Sequence, residues 1–285
     1  MITAAPRGGR RAASATLFLL LPAVLLLAGA FLVPLVRLIG LSLSAPAGRL
    51  APYAELIGND VYRKVFVNTF SFAVVVTAVA LVLAFPLALA LTRLGGRAKA
   101  LLFAAVLLPL WISVLVRTFA WMLLLEKNGP VNRLLVASGL VDQPLALLFN
   151  HVGVLIGMVH VLLPYAVLPI YAALVRIDPA LLRASAGLGA ARFTTFRRVL
   201  LPQARGGVAT AASFVFLLSL GFFITPALLG GARDITLAML IDGFVEEQLA
   251  WPLAGAASVI LLAATLVVLA VAGRALSPAR LAEPA

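Results

Sequence analysis

Long apolar runs separated by short polar stretches dominate the chain. A membrane-spanning helix needs about 20 mostly apolar residues. Six runs are long enough: 16–43, 65–91, 100–125, 152–175, 208–229 and 251–273. Every run is apolar on all faces, as expected for helices in lipid, whereas the strands of a β-barrel would be short and alternating. The pattern predicts an all-α membrane protein with six transmembrane helices.

The first apolar run has the features of a cleavable signal peptide as well, because arginines precede it and it contains the small residues Ala28, Gly29 and Ala30. Secretory apolar regions are only about 7–15 residues long. Since the apolar sequence here continues to Leu43, we favour an uncleaved first span.

Composition excludes other classes of protein. Of the 285 residues, 64% are hydrophobic and 11% are charged, whereas about 25% are charged in a soluble domain. A soluble or disordered chain is therefore excluded. The net charge of +12 does not indicate nucleic-acid binding, because the basic residues are scattered between apolar runs. With no cysteine, disulfides and zinc–thiolate sites are excluded.

The basic residues predict the orientation, since lysine and arginine are enriched in cytoplasmic loops. With a cytoplasmic N-terminus, 14 of them lie on the cytoplasmic side: Arg7, Arg10, Arg11, Arg93, Arg97, Lys99, Arg176, Arg183, Arg192, Arg197, Arg198, Arg205, Arg274 and Arg280. Six lie outside: Arg49, Arg63, Lys64, Lys127, Arg133 and Arg233. Both termini are therefore predicted to be cytoplasmic.

The chain divides into three parts on this topology. Residues 1–63 hold the cytoplasmic N-terminal tail, the first transmembrane helix and the first outer loop. Residues 64–273 hold the transmembrane core with spans two to six, and residues 274–285 form a cytoplasmic tail. The longest cytoplasmic loop, 176–207, lies between spans four and five.

The loop 176–207 begins with the signals of a short helix. Asp178 followed by Pro179 is typical of a helix start, with the carboxylate as N-cap and proline in the first turn. Gly189 is placed to end this helix in the left-handed conformation.

A second short helix is predicted over 191–201, with Pro202 at its end or at a kink. It has one apolar face, made of Phe193, Phe196, Val199 and Leu200. Two interpretations remain open from the residues alone. The helix lies on the membrane surface with its arginines at lipid phosphates, or it docks into a groove of a partner protein.

Residues 183–202 resemble the EAA loop of ABC-importer permeases, in which a Glu-Ala-Ala triplet is followed by a glycine and later by Leu-Pro. Arg183, Ala184 and Ser185 stand at the triplet, Gly189 at the glycine and Pro202 at the closing proline. The triplet departs from the family pattern, because Arg183 replaces the usual glutamate and Ser185 the second alanine.

The resemblance implies a coupling helix that docks on a cytoplasmic ABC ATPase subunit. The docking residues that it implies are Arg183, Ala184, Ser185, Gly189, Phe193 and Phe196. It further implies a second permease subunit, forming a heterodimer, and a periplasmic substrate-binding protein. ATP and Mg²⁺ would bind to the ATPase, and this chain would bind no cofactor. The resemblance also implies that the chain is located in the bacterial inner membrane.

Other segments resemble the spermidine/putrescine importer branch of these permeases: residues 107–121, 128–132, 223–231 and 237–241. The resemblance covers most of the chain from about residue 64 to 273. It implies import of polyamines, while related permeases carry phosphonates, iron, thiamine or opines.

Arg117 is predicted well inside span three, where an arginine costs about 2.5–3.5 kcal/mol. It is a candidate for the translocation path, together with Trp111 and His160; alternatively it snorkels or pairs at a helix end. We expect its counter-charge to be Glu126 or an acid of another span. Because a bare cation would repel a polyamine, either Arg117 is paired or the substrate is anionic.

The other polar and small residues of the spans have structural interpretations. Arg37 is expected to snorkel, and His151 and His160 to hydrogen-bond inside the bundle. Gly153 and Gly157 have the spacing of close helix packing. Five prolines are candidates to break spans, namely Pro86, Pro109, Pro164, Pro169 and Pro226. The outer acids Asp242, Glu246 and Glu247 either receive a cation or are simply solvated.

The sequence therefore indicates a permease subunit that forms half of a transmembrane pathway and does no chemistry itself. A self-sufficient secondary transporter or channel is the alternative, but none of the six spans has a central acid. An intramembrane enzyme is disfavoured, because the chain has no Cys, His/carboxylate cluster or GxSxG motif.

Overall fold

The structure is a computed structural model that describes the backbone of residues 9–275 and the side chains of residues 20–271, 273 and 274. Every regular element in this part of the chain is helical, which confirms the predicted all-α class. In chain order the helices are α1 (Gly9–Ser42), α2 (Ala51–Gly58), α3 (Asp60–Arg93), α4 (Gly96–Trp111), α5 (Val114–Leu125), α6 (Pro130–Ala137), α7 (His151–Val175), α8 (Pro179–Gly187), α9 (Arg192–Thr195), α10 (Leu201–Leu220), α11 (Ile224–Leu229), α12 (Leu237–Glu246) and α13 (Trp251–Ala275). A π-helical segment, Phe196–Leu200, joins α9 to α10. Most of the two predicted tails lies outside the described residues.

Four of the six apolar runs form long helices, namely α1, α3, α7 and α13. Among the described residues these four are long and apolar enough to cross a membrane. Asn150 caps α7 by accepting the backbone N–H groups of Val152 and Gly153. The prolines inside α3 and α7 were expected to break spans, but both helices are continuous through them.

The third run, predicted as one span over 100–125, is broken. Its helix stops at Trp111 and resumes at Val114, and the two parts are bent by 106°. Ile112 and Ser113 have extended backbone, with ψ of 136° and 137°. The apolar pattern is the same on both sides of these residues, so it could not reveal the break.

The fifth run, predicted as one helix over 208–229, begins and ends at other residues in the structure. Its helix α10 begins earlier, at Leu201, and ends at Leu220. The remainder forms the short helix α11 beyond a break at Gly221. Counting the bent third run as one span gives up to five candidate spans among the described residues, and the six-span count with cytoplasmic termini stays a prediction.

The main core lies where α3, α7 and α10 pack together. Phe72, Met158, Leu162, Ile170 and Val215 are among its buried side chains. Close approach is possible because a Cβ at Gly207 would lie only 2.5 Å from that of Ala173. Helix α1 packs against α13 and leaves most of its apolar side chains exposed, as a lipid-facing helix does.

A second, smaller core gathers α2, α12 and α13 beside the start of α3. Leu56, Leu237 and Phe244 are fully buried in it. The hydroxyl of Thr69 on α3 accepts the backbone N–H of Leu237 at 2.7 Å, which ties α12 to the main bundle.

Candidate functional site

The loop 176–207 starts with the predicted helix. Asp178 accepts the N–H of Ala180 at 2.8 Å and Pro179 occupies the first turn of α8, which confirms the N-cap. No residue of α8 is buried. A cleft of about 640 Å³ lies on the α7–α10 side of its start, lined by Arg176, Gln203 and Thr210 among others. The helix therefore rests on the surface of the bundle, and its Leu182 packs against the main core.

Gly189 makes the turn after α8 as predicted. Its φ is +74°, a conformation that favours glycine. The N–H of Gly189 bonds to the carbonyl of Ala186, and that of Ala190 to Ser185. This pair of bonds is a Schellman motif, so the end of α8 has a fixed geometry.

The second predicted helix is not a separate element ending at Pro202. Helix α9 passes through the π-helical segment straight into α10, and the N–H of Leu201 bonds to the carbonyl of Phe196. Pro202 is the second residue of α10, directly after the π-helical segment. From Arg192 onward the loop is therefore helical without interruption into α10.

The six predicted docking residues fall into two groups. Arg183, Ala184, Gly189 and Phe193 are exposed, and Phe193 is 71% accessible. By contrast, Ser185 is half-buried and its hydroxyl bonds to that of Thr195 at 2.8 Å, joining α8 to α9.

Phe196 points inward rather than to a docking surface. Its ring meets that of Phe85 on α3 edge-on, with centroids 5.2 Å apart. Leu200 is buried as well. The predicted apolar face is therefore split, because its later residues pack into the bundle.

Sequence reasoning missed Leu188, which is 89% exposed directly before the Gly189 turn. The exposed residues Leu181, Arg183, Ala184, Leu188 and Phe193 are called the loop surface below. An exposed apolar side chain beside a fixed turn is the signal that could have found Leu188.

A polar cluster lies between α5 and α7, just after the break in the third run. The indole N–H of Trp121 donates to Nδ1 of His160 at 3.1 Å. The hydroxyls of Thr118 and Thr225 lie 3.2 Å apart and join α5 to α11. Arg117 belongs to the same face of α5 and is only 9% exposed.

The prediction that Glu126 or an acid of another span neutralises Arg117 is wrong for the described residues. Glu126 follows the end of α5 and is exposed, and no acid among the described residues forms an ion pair with Arg117. Its Nε and Nη1 atoms are buried without a hydrogen-bond partner.

Of the three predicted path residues, the structure brings Arg117 and His160 together and leaves Trp111 apart. Trp111 ends α4 and is 87% exposed. Trp121, which was not among the predicted path residues, is the hydrogen-bond partner of His160.

A further polar contact connects the start of α7 with the loop before α12. His151 Nδ1 lies 3.3 Å from Asp234 Oδ1, and its ring stacks on Phe72 with centroids 4.2 Å apart. Asp234 is buried and also accepts the N–H of Gly231 at 2.9 Å. The predicted hydrogen bonding of His151 is confirmed. No local signal in the sequence marks the pairing of Asp234 with His151.

The glycine pair of α7 packs closely, as predicted. A Cβ at Gly153 would lie 2.5 Å from the carbonyl oxygen of Leu147, and one at Gly157 would lie 2.6 Å from Leu229 and Thr225. The absence of side chains at Gly153 and Gly157 therefore allows α11 and the loop before α7 to pack closely against α7. Asp242, Glu246 and Glu247 are exposed.

Residues 80–281 match the family model described as "Binding-protein-dependent transport system inner membrane component". Among curated proteins, the spermidine/putrescine transport system permease protein PotB of Haemophilus influenzae is 31% identical over 242 residues, covering 85% of this chain and 83% of that protein. The inner membrane ABC transporter permease protein YdcU of Escherichia coli is 39% identical over 186 residues, covering 60% of this chain and 59% of that protein.

Solved structures show the same fold at low identity. A chain of a bacterial alginate ABC transporter, in complex with an alginate pentasaccharide-bound periplasmic protein, superposes with a TM-score of 0.75 at 17% identity, covering 93% of this chain and 95% of that one. A chain of the MetNI methionine ABC transporter in an inward-facing conformation superposes with a TM-score of 0.56 at 18% identity, covering 76% and 97%.

Proposed function

Since the chain belongs to the family of binding-protein-dependent transport system inner membrane components, we propose that it forms half of the transmembrane pathway of an ABC importer for polyamines or a related small solute. It is a transport subunit rather than an enzyme, and the family implies an inner-membrane location. Residues 64–273 form the transmembrane core in this proposal.

The substrate class is supported by relatives rather than by a site on this chain. The PotB proteins named for spermidine/putrescine transport are 30–31% identical over most of the chain. A molybdenum transport permease of Azotobacter vinelandii also matches, at 31% identity over 183 residues. Polyamines are therefore the first substrates to test, and oxyanions, phosphonates, opines, iron and thiamine follow.

The loop surface supports docking on a cytoplasmic ATPase. Leu188 and Phe193 are apolar and exposed on elements fixed by the Schellman turn. Exposed apolar side chains beside arginines suit a groove with an acidic rim. With Arg183 in place of the usual glutamate, we expect the ATPase groove to carry an acid opposite it.

Transport follows from coupling this loop to α10. ATP and Mg²⁺ bind to the ATPase subunits in this proposal, and closure of the ATPase pair moves the loop surface. The nucleotide can shift the pathway between inward- and outward-open states only by binding one of them more tightly. A second permease subunit completes the pathway, and a periplasmic binding protein delivers the solute.

Co-purification of the ATPase with this chain tests the proposal, using two matched variants. Phe193→Ala removes an exposed ring, so we expect it to release the ATPase while the thermal midpoint of the chain stays unchanged. Phe196→Ala removes a ring packed on Phe85, so we expect it to lower the thermal midpoint.

Two results would contradict this assignment. One is the failure of any ATPase to co-purify. The other is uptake by the chain alone along an ion gradient, which would favour a secondary transporter. ATP-dependent uptake of labelled spermidine into proteoliposomes, dependent on the binding protein, would support the substrate class.

A further inference from the structure

A cleft of about 300 Å³ lies between the C-terminal ends of α3 and α7 and the start of α8. Arg93 and Lys99 are the charged side chains that line it, and no acid does. Its apolar wall includes Leu174 of α7 and Leu200 of the π-helical segment, both of which are buried. The cleft is called the basic cleft below.

The two cations of the basic cleft have no counter-charge among the described residues. Neither Arg93 nor Lys99 forms an ion pair there, and the Lys99 ammonium lies 5.4 Å from the centroid of the Tyr171 ring. The nearby acid Asp178 caps α8 and lines the separate cleft beside α10. No side chain caps the start of α4, where Lys99 lies in the first turn, so the positive end of the helix dipole adds to the two charges. The basic cleft therefore attracts an anion.

An apolar groove of about 440 Å³ continues from the basic cleft along α3. The groove and the cleft share Leu89. The α3 residues Val82, Phe85 and Arg93 line them as well, at the three- or four-residue spacing of one helix face. Every residue that lines the groove is apolar. Because Val82 is 72% exposed, the groove opens away from the core of the bundle.

The dimensions of this site match one leaflet of a membrane. Helix α3 rises about 16 Å from Val82 to Arg93, and the hydrocarbon layer of one leaflet is about 15 Å thick. The charged end lies beside the loop 176–207, which is on the cytoplasmic side in the proposed function. Basic pockets between membrane helices on this side bind the headgroups of anionic lipids.

We propose that the basic cleft and the groove bind one anionic phospholipid of the cytoplasmic leaflet, with its phosphate at Arg93 and Lys99 and an acyl chain along Val82 and Phe85. This inference rests on the proposed function, which sets the orientation of the chain in the membrane. Phe196 also lines the groove, so the bound lipid contacts the segment that joins the loop surface to α10. A free phosphate has the same charge as the headgroup, but only a lipid also fills the apolar groove.

Native mass spectrometry of the full chain in detergent, titrated with phosphatidylglycerol or phosphatidylcholine, tests the site. We expect phosphatidylglycerol to bind more tightly. The double variant Arg93→Gln and Lys99→Gln removes both charges, so its affinity for phosphatidylglycerol is expected to fall roughly 25-fold, with no change for phosphatidylcholine. The matched control is Arg197→Gln with Arg198→Gln, which removes two exposed arginines that do not line the basic cleft and should change neither affinity.

A second pair of variants tests the acyl chain. Val82→Trp fills the groove with an indole ring, so phosphatidylglycerol is expected to bind several-fold more weakly. Val74→Trp places the same ring at another exposed valine of α3, which does not line the groove, and should leave binding unchanged. Both valines are exposed, so neither variant disturbs the core. Inorganic phosphate is expected not to compete with phosphatidylglycerol in the wild type.

The inference is overturned if the two lipids bind equally, or if both double variants weaken binding to the same extent, since general surface charge would then be the cause. Competition by inorganic phosphate, or no effect of Val82→Trp, would contradict a lipid and leave an anion site alone. Loss of the bound lipid on assembly with the second permease would show that the groove is a subunit contact instead. The lipid titration uses this chain alone, so failure of an ATPase to co-purify is a separate result that overturns the proposed function.

Discussion

The indole nitrogen of Trp121 lies 3.1 Å from Nδ1 of His160, and this bond holds the far half of the broken third run against α7. Helix α5 is also joined to α11 by the contact between the hydroxyls of Thr118 and Thr225, while its outer face is exposed. The two contacts together fix where the bent segment lies, and with it the position of Arg117.

Trp121→Phe is expected to destabilise the chain. The variant keeps an aromatic ring but removes the donor, and a lost buried hydrogen bond costs about 1 kcal/mol or more. The thermal midpoint in detergent should fall by roughly 2–4 °C. Trp111→Phe makes the same substitution at an exposed residue and should leave the midpoint unchanged; equal effects of the two would refute the role of the bond.

Gly189→Ala is expected to loosen the end of α8. An alanine in the left-handed conformation costs about 1–2 kcal/mol, and the Schellman bonds depend on that conformation. Hydrogen exchange of the amides in α8 and α9 should accelerate, and the ATPase should bind less tightly.

Gly187→Ala is the matched control for this turn. Gly187 lies in α8 with open space around its Cα, and alanine favours helix. In this variant we expect the amide hydrogen exchange of α8 and α9 to be unchanged or slower. Faster exchange would show that the conformation of Gly189 does not determine the stability of this turn.

Gly153→Ala is expected to destabilise the contact of α7 with the loop before it. The new methyl group would lie 2.5 Å from the backbone oxygen of Leu147, which cannot rotate away as a side chain can. Overpacking of this kind costs about 1–3 kcal/mol. Gly243→Ala, where nothing lies within 4 Å, should be neutral or slightly stabilising, and thermal unfolding of the two variants distinguishes a steric from a general glycine effect.

Asp234→Ala is expected to destabilise the loop between α11 and α12. It removes the acceptor for the Gly231 N–H and the partner of His151, and leaving a buried donor unsatisfied costs about 1–3 kcal/mol. Asp242→Ala, at an exposed acid, should change the thermal midpoint little. Protease accessibility of residues 230–236 gives an independent reading, and an unchanged pattern would speak against a structural role.

The sequence was sufficient for features that are encoded locally. The runs that became α3, α7 and α13 are long and uniformly apolar, so their helices were predictable to within a few residues. Asp178 and Gly189 act through their own backbone neighbours, and their roles as cap and turn were therefore readable from residue type.

Features that depend on tertiary packing could not be predicted. The break at Ile112 and Ser113 lies three residues beyond the candidate proline Pro109, which is itself inside α4, so the residue type did not give the position of the break. The contact between His151 and Asp234 joins residues 83 positions apart in the sequence. The ring of Phe196 points into the bundle because it packs against the ring of Phe85 on α3. The hydropathy of a segment indicates whether its helix lies in an apolar environment, but it does not indicate which other helix packs against it.

The unbroken backbone from α9 through Phe196–Leu200 into α10 has a mechanical consequence. We expect a displacement at Phe193 to be carried along α10, which is about 30 Å long, to Leu220, four residues before the start of α11. There Thr225 contacts Thr118 on α5, the neighbour of Arg117. We therefore expect a movement of the loop surface to reach the bent segment of the third run through α10, α11 and the contact of Thr225 with Thr118.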